Sequence, residues 1–235
     1  MNPLEISIHT FSWIAAVVVA SLGVPQLINQ IKTRKTGNVN FFSFWVFQIG
    51  ILLWLIWSSL GNEKLLSTFV ANTVGVFLYG TMIILLYKYK DEFDSRIKYF
   101  GMGAIVITWI IALIFIALKI INSFKTPVYL WDPKTESVMG FIFPAFTTLA
   151  FIPQMIFSIK TNSWEGVSPY MFLVYELNNT VWIIFWALNI SNPATAMHKY
   201  AFVGGIVWQI ISFILFGIQF IFSFMDYQRR KKLAE

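Results

Sequence analysis

Residues 24–33 read VPQLINQIKT, and residues 152–161 read IPQMIFSIKT. The two segments share Pro-Gln near their start and Ile-Lys-Thr at their end, with a constant shift of 128 residues between Pro25 and Pro153. The register continues without a gap as far as Leu60 in the first copy. Apolar segments often resemble one another by chance, but chance does not repeat two motifs at one spacing. The chain therefore contains an internal duplication.

Each Pro-Gln pair lies inside a long apolar stretch, where a helix is expected. A proline in a helix removes one backbone hydrogen bond and clashes with the preceding turn, so the helix kinks there. The glutamine that follows could satisfy the freed backbone groups or face a water-filled path. We predict that the pairs Pro25-Gln26 and Pro153-Gln154 act as hinges.

The composition indicates that lipid is the solvent of this protein. Of its 235 residues, 57% are hydrophobic and 12% are charged, whereas about a quarter are charged in an average soluble domain. Apolar stretches of about 20 residues, the length that a helix needs to cross a bilayer, lie between clusters of charge. Unpaired backbone groups in lipid cost several kcal/mol each, so these stretches must be helices.

Seven such stretches are predicted to span the membrane. They cover about residues 7–31, 41–60, 66–88, 99–121, 138–160, 168–189 and 197–224.

The odd number of spans in one repeat determines the predicted topology. A three-span unit begins on one side of the membrane and ends on the other, so a second unit fused directly would be inverted. One extra helix returns the chain, and the two units are then parallel. We predict an all-α integral membrane protein with two parallel three-helix bundles joined by one linker helix. The predicted boundaries are 1–95 and 128–227 for the repeats, 96–127 for the linker helix and 228–235 for a basic cytoplasmic tail.

Basic residues concentrate at one end of the predicted spans. With the N-terminus outside, the loops after spans one, three and five and the C-terminal tail hold about 12 of the 17 Lys and Arg residues. Cytoplasmic segments carry the excess of Lys and Arg in membrane proteins. The predicted location is the cell membrane, with the N-terminus outside and the C-terminus in the cytoplasm.

The sequence argues against several classes of function. Without cysteine there is no disulfide, no thiolate nucleophile and no cysteine zinc site. No Gly-Lys-Ser phosphate loop, His-Glu-x-x-His helix or Gly-x-Ser-x-Gly elbow is present. The basic residues flank apolar spans and form no continuous face for nucleic acid. We expect no enzymatic activity, no metal, no cofactor and no nucleic-acid partner.

The duplicated Pro-Gln unit with one linker helix resembles the PQ-loop family. That family includes the SWEET sugar facilitators, the half-size SemiSWEETs, the cystinosin-like amino-acid carriers and the KDEL receptors. The resemblance covers nearly the whole chain except the linker helix and the tail. It implies transmembrane transport of a small polar solute, with sugar as the first expectation, by alternating access between the repeats. Membrane lipids are the other expected partner, and the architecture allows a homo-oligomer.

Two motifs are similar to those of SWEETs in particular. Asn72-Thr73-Val74-Gly75 is similar to the SWEET Asn-Gly-Thr-Gly, whose Asn contacts sugar, and the segment 177–182 is similar to Leu-Asn-Gly-Thr-x-Trp, whose Trp lines the pocket. Trp54 pairs with Trp182 across the repeat. The family's hinge prolines match Pro25, Pro153 and Pro169. The resemblance therefore implies a substrate site formed by Trp54, Asn72, Asn178, Asn179 and Trp182.

The chain departs from the SWEET pattern at two places. SWEETs carry a second pocket Asn in span seven, where residues 201–205 offer none, and Gln209 is a candidate substitute. Glu176 lies well inside span six, and a charged residue at such a depth is by default a functional hypothesis. Its repeat mate is Gln48. We name Glu176 and Gln48 as a possible proton-coupling pair.

Several alternatives remain open from the sequence. Glu176 motivates a proton-coupled, cystinosin-like carrier of amino acids or related amines, and the Trp content suits a vitamin or nucleoside carrier. A receptor that binds a ligand without net transport would need basic residues deep in a span, and none is visible. Glu176, Asn178 and Asn179 could also serve only to hold helices together.

Overall fold

The computed structural model describes residues 2–61, 66–124, 130–192 and 199–234. Every regular element in these ranges is an α-helix, and together they form seven segments that are long and apolar enough to cross a membrane. The helices are α1 (Pro3–Ser21), α2 (Val24–Thr33), α3 (Phe41–Ser59), α4 (Leu66–Lys88), α5 (Ser95–Phe124), α6 (Pro133–Leu149), α7 (Ile152–Thr161), α8 (Pro169–Ser191) and α9 (Lys199–Ala234).

The first and fifth spans are each interrupted just before their Pro-Gln pair. The first span consists of α1 and α2, with the break at Leu22 and Gly23, and the fifth consists of α6 and α7, with the break at Ala150 and Phe151. In both cases the proline is the second residue of the following helix, a position where its missing N–H costs nothing. The structure thus contains the kinks that the sequence predicts.

The two repeats pack in the same order. In the first repeat α4 contacts both α1 and α3, and in the second repeat α9 contacts both α6 and α8, so the third span of each repeat lies between the other two. Across the repeats α1 packs against α8, and α3 packs against α6. This exchange of equivalent contacts is what an approximate twofold axis along the membrane normal produces.

The linker helix α5 attaches to the first repeat, where it contacts α4 and α3. Gly80 makes room for the indole of Trp109, because a Cβ at this glycine would lie 2.4 Å from the ring nitrogen. That nitrogen donates a hydrogen bond to the carbonyl of Val76 (3.2 Å). Most of α5 is exposed to the surroundings of the protein, which suits a helix that faces lipid.

Several predicted span ends are corrected by the structure. The first span begins at Pro3 because Asn2 caps the helix and exchanges hydrogen bonds with Glu5, a signal that hydropathy does not contain. Span five begins at Pro133, where Asp132 caps the helix; hydrogen bonds from Thr135 lower the pKa of the Asp132 carboxyl. The predicted tail continues α9 as far as Ala234.

Candidate functional site

A cavity lies between the two repeats, and the five residues predicted for the substrate site all line it: Trp54, Asn72, Asn178, Asn179 and Trp182. Trp54 and Asn72 come from α3 and α4 of the first repeat, and the other three come from α8 of the second. Both asparagines lie on the cavity side of α8, so the rotation of this helix does not exclude either of them from the site. Substrate binding by these residues stays a prediction, but the structure brings them together.

The lining is polar and neutral. None of the described residues that line the cavity carries a charge, and its polar members come from both repeats. Asn72 donates its side-chain N–H to the carbonyl of Thr68 (2.8 Å). Beyond the predicted residues the polar lining consists of Thr68, Thr147, Thr148, Tyr175, Gln209 and Ser212.

Four residues of the lining have a buried oxygen atom with no hydrogen-bond partner among the described residues. These atoms are the hydroxyls of Thr68 and Tyr175 and the amide oxygens of Asn178 and Gln209. Buried polar groups are nearly always paired in folded proteins, and an unpaired one costs about 1–3 kcal/mol. Polar atoms left without partners around one cavity are the expected signature of a site that a polar ligand completes.

Tryptophan rings form one wall of the cavity. The Trp182 ring stacks on Trp186 with centroids 5.2 Å apart and a 22° angle, and the Trp54 ring is also nearly parallel to Trp186, with centroids 6.5 Å apart and a 19° angle. Gly205 leaves space for the Trp186 ring, since a Cβ there would lie 2.8 Å from it. The indole N–H of Trp54 donates to the hydroxyl of Thr147 (3.3 Å). These contacts fix the orientation of the aromatic wall.

An aromatic cluster closes the cavity toward the end of the molecule that carries the Pro-Gln pairs, which we call the PQ end. Phe47 and Tyr175 are repeat mates, and their rings meet edge to face at 5.0 Å. Phe216 stacks on Tyr175 at 4.5 Å and 8°, and Phe151 packs beside both Phe47 and Tyr175. A solute could leave toward the PQ end only if these rings separated.

Gln26 holds the PQ end together across the repeats. Its side chain is buried, donates to the carbonyl of Gly166 (2.8 Å) and accepts from the N–H of Ser168 (2.8 Å). These two residues precede α8 of the other repeat. The Gln26 side chain therefore forms these hydrogen bonds with the backbone of the opposite repeat and not with the backbone groups freed in its own helix.

Gln154 makes the equivalent contact in the other direction. Its side-chain oxygen accepts from the N–H of Asn40 (2.6 Å), which caps α3 of the first repeat, and Asn40 is the repeat mate of Ser168. Its backbone N–H donates to the hydroxyl of Ser43 (2.9 Å). The two Pro-Gln pairs thus form a reciprocal latch between the bundles, placed one or two turns from the helix breaks.

The opposite end is also tied between the repeats. The indole N–H of Trp57 in α3 donates to the carbonyl of Glu136 in α6 (2.9 Å), and the backbone N–H of Trp131 donates to the carbonyl of Leu60 (2.9 Å). With both ends bonded, the cavity volume is about 50 Å³, room for only a few water molecules. This conformation is occluded, and a larger solute requires the bundles to move apart.

Neither residue of the pair named for proton coupling lines the cavity. Gln48 donates to the carbonyl of Val76 (3.2 Å) and to the hydroxyl of Thr108 (3.1 Å), so it faces α4 and α5. Glu176 is half-buried and packs toward α9, where a Cβ on Gly217 would lie 3.6 Å from its carboxylate. Gln48 therefore lies apart from the substrate-site residues, whereas the side chain of Glu176 interacts with that of Asn179, which lines the cavity. A role of this pair in proton coupling stays a prediction.

Two prolines differ from the simple hinge pattern. Pro169 is the first residue of α8 and follows the N-cap Ser168, so it starts a helix and bends none; a hinge role for it stays a prediction. Pro144 lies inside α6 and is buried, and its carbonyl accepts from the hydroxyl of the cavity residue Thr147 (3.0 Å). Neither Pro144 nor Thr147 was predicted from the sequence.

Residues 136–195 match the family model of the PQ loop repeat. A relative from Bradyrhizobium diazoefficiens, the sugar transporter SemiSWEET, is 35% identical over 78 residues, which cover 91% of that protein and 32% of this chain. The chain belongs to the PQ-loop family. The matched region of this PQ-loop protein includes its second Pro-Gln pair and the cavity residues of α8.

A solved structure agrees with this PQ-loop assignment at the level of the fold. The structure of a eukaryotic SWEET transporter matches with a TM-score of 0.58 and 15% sequence identity, over 92% of this chain and 98% of that chain. At such low identity the match shows the fold alone. It confirms the predicted fold class, an all-helical protein with seven membrane spans, and thus a multi-pass membrane protein.

Proposed function

We propose that this protein transports a neutral sugar across the membrane by alternating access between its two repeats. The observation that carries the proposal is the cavity between the repeats, with a neutral polar lining, unpaired polar oxygens and a tryptophan wall. The relative named a sugar transporter, SemiSWEET, supports the choice of solute.

The lining suits the chemistry of a sugar. Sugar hydroxyls can donate to the amide oxygens of Asn178 and Gln209 and exchange hydrogen bonds with Thr68, which lack partners in the occluded state. The apolar face of a sugar ring can pack on the indoles of Trp54 and Trp182, which are large, rigid apolar surfaces. A charged amino acid or amine would have no counter-charge in this lining.

The latches and helix breaks support alternating access. The breaks before Pro25 and Pro153 allow α2 and α7 to swing on α1 and α6, and the bonds of Gln26 and Gln154 hold the PQ end closed. Opening the PQ end requires these bonds and the aromatic contacts behind them to break. Because the equivalent bonds at the other end are made by different residues, the two ends can open separately.

Location and orientation belong to the proposal as well. We place the protein in the cell membrane with the PQ end in the cytoplasm and the N-terminus outside, which follows the distribution of Lys and Arg. Glu176 does not line the cavity itself but interacts with Asn179, which does, and the proton-coupled alternative stays a prediction.

Uptake of labelled sugars into proteoliposomes tests the proposal. Asn72→Ala removes a polar group from the cavity, and Trp182→Ala removes one aromatic wall; each should reduce uptake at least tenfold, the effect of losing about 1.4 kcal/mol of binding free energy. Size-exclusion profiles and unfolding midpoints should show that both variants remain folded.

Asn189→Ala is the matched control for Asn72→Ala. Both side chains are buried, and both donate to the backbone carbonyl four residues earlier, Asn72 at 2.8 Å and Asn189 at 2.9 Å. Only Asn72 lines the cavity. Uptake should survive Asn189→Ala; equal losses in the two variants, or unchanged uptake in Asn72→Ala, would refute the site.

A further inference from the structure

A second depression lies at the PQ end, on the outer side of the Gln26 latch. It has a volume of about 510 Å³ and runs between α2 of the first repeat and the α8 start and α9 end of the second. Its walls include Ile28, Lys32, Tyr170, Tyr227 and Arg230. We call it the PQ-end cleft. Unlike the central cavity, it is large enough for a substantial group in the conformation described.

The PQ-end cleft is cationic. Lys32 and Arg230 approach it from opposite repeats, and none of the described residues that line it is acidic. Asp226 lies outside this lining and accepts hydrogen bonds from the Nε–H of Arg230 (3.0 Å) and from Arg229 (2.7 Å). The remaining N–H groups of Arg230, and the ammonium group of Lys32, have no hydrogen-bond partner among the described residues.

The rest of the cleft has the character of a membrane interface. Tyr170 and Tyr227 meet edge to face with centroids 6.2 Å apart, and tyrosines are enriched where a membrane meets water. Ile28 is 46% exposed and Tyr170 is 49% exposed, so apolar surface continues from the cleft to the outside of the bundle. A phosphate bound by the two cations would therefore have an apolar path beside it for attached chains.

The duplication shows that this cationic cleft is not a general property of the PQ end. Lys160 is the repeat mate of Lys32, and both lie exposed in the last turn of the helix after a Pro-Gln pair. Lys160 does not line the PQ-end cleft. Arg230 belongs to the part of α9 that extends past the predicted span, and it is this extension that brings a second cation to the Lys32 side.

We propose that the PQ-end cleft binds the phosphate group of an anionic membrane phospholipid, with Lys32 and Arg230 as its ligands. Basic pockets between spans on the cytoplasmic side suit acidic head groups. The bound lipid touches both repeats beside the Gln26 latch, so it stabilises the conformation in which the PQ end is closed.

The test is the unfolding midpoint of the purified full-length protein in detergent micelles titrated with dioleoyl lipids. Phosphatidylglycerol should raise the midpoint in a saturable way, because a ligand of the folded state stabilises it by mass action. Phosphatidylcholine with the same chains and sodium phosphate at equal concentration should not. Lys32→Gln should raise the half-saturating phosphatidylglycerol concentration about fivefold, the contribution of one basic residue near anionic lipid.

Lys160→Gln is the matched control, and it should leave the titration unchanged. Arg230→Gln should weaken phosphatidylglycerol binding as Lys32→Gln does. Arg230→Gln also removes the contact with Asp226, so if the Arg230→Gln protein does not fold, the result for Lys32→Gln decides the test. An equal loss in Lys160→Gln would indicate diffuse attraction and overturn the site. A response to sodium phosphate equal to that with lipid would overturn the lipid assignment, and no response to phosphatidylglycerol would overturn binding.

Discussion

Gln26 donates to the carbonyl of Gly166 and accepts from the N–H of Ser168, so one side chain satisfies two backbone groups of the other repeat. Its replacement by alanine leaves both groups without that partner, at a cost of about 1–3 kcal/mol for each group that stays buried. The lost bonds exist only when the PQ end is closed. We expect Gln26→Ala to shift the protein toward conformations in which the PQ end is open.

Thiol labelling can measure this shift, because the chain contains no cysteine. Ser212→Cys places one thiol in the cavity, and its alkylation by a water-soluble maleimide should accelerate about tenfold or more when Gln26→Ala is added. Gln30→Ala is the control, since the side chain of Gln30 is equally buried on α2 but has no hydrogen-bond partner among the described residues. Equal acceleration by both variants would show that the latch is not responsible.

At the residue scale, the sequence predicted the cavity residues that belong to a motif or are paired across the repeat. Asn72, Trp54 and Trp182 fall in this group, and all line the cavity. Hydroxyl residues such as Thr68 could not be predicted, because Ser and Thr are common in membrane helices for packing alone. The rotation of α8 turns Glu176 toward α9, whereas Asn178 and Asn179 line the cavity, and a repeat register does not define such a rotation. Proton coupling by Glu176 stays a prediction.

Gly50 determines how closely α3 and α6 approach, which is a contact between the two repeats. A Cβ at Gly50 would lie 2.6 Å from Cγ2 and 3.0 Å from the backbone N of Thr147, and 3.2 Å from Cβ of Phe146. Because backbone atoms are involved, a rotamer change cannot relieve the clash. Gly50→Ala should force the helices apart and lower the free energy of unfolding by about 1–3 kcal/mol, visible as a lower unfolding midpoint.

Gly103→Ala provides the contrast in α5. No atom lies within 4 Å of a Cβ built at Gly103, and alanine favours a helix over glycine by about 1 kcal/mol. The midpoint of Gly103→Ala should therefore stay level or rise. If Gly50→Ala were as stable as Gly103→Ala, the close packing of α3 on α6 would be wrong.

The helices themselves were predictable to different degrees. The span at 66–88 agrees with α4, because charged or turn residues end the apolar pattern at the membrane surface. Helices α5 and α9 extend beyond the predicted ends, since a helix can continue through polar sequence such as residues 225–234 once it has left the lipid. Hydropathy marks where lipid ends, and caps and helix propensity mark where a helix ends.

At the scale of the molecule, the duplication predicted two parallel bundles but not the order of helices within them. The third span of each repeat lies between the other two, and in the second repeat Gly204 and Gly205 of α9 make room for Phe141 of α6 and Trp186 of α8. The unequal contribution of the two repeats to the cavity lining was also not predicted from the sequence. Asn178 lines the cavity whereas its mate Gly50 packs against Thr147, so the second repeat supplies most of the polar lining.

The orientation in the membrane is a property of the whole charge distribution, and it has a direct test. Lys134, at the start of α6, and Asp91, between α4 and α5, are both exposed and lie at opposite ends of the molecule. Intact cells that produce Lys134→Cys should react with a membrane-impermeant sulfonated maleimide, whereas cells that produce Asp91→Cys should react only after permeabilisation. The cysteine-free parent chain supplies the background.

The reason for this expectation is the position of the cations relative to the helix ends. Helices α2, α4, α7 and α9 each carry at least one basic residue in the last turn, and all four helices end at the PQ end. Retention of such an excess of Lys and Arg in the cytoplasm sets the topology of a multi-pass protein. Labelling of Asp91→Cys in intact cells, with Lys134→Cys protected, would place the PQ end outside. The latch of Gln26 and Gln154 would then close the extracellular end of the pathway.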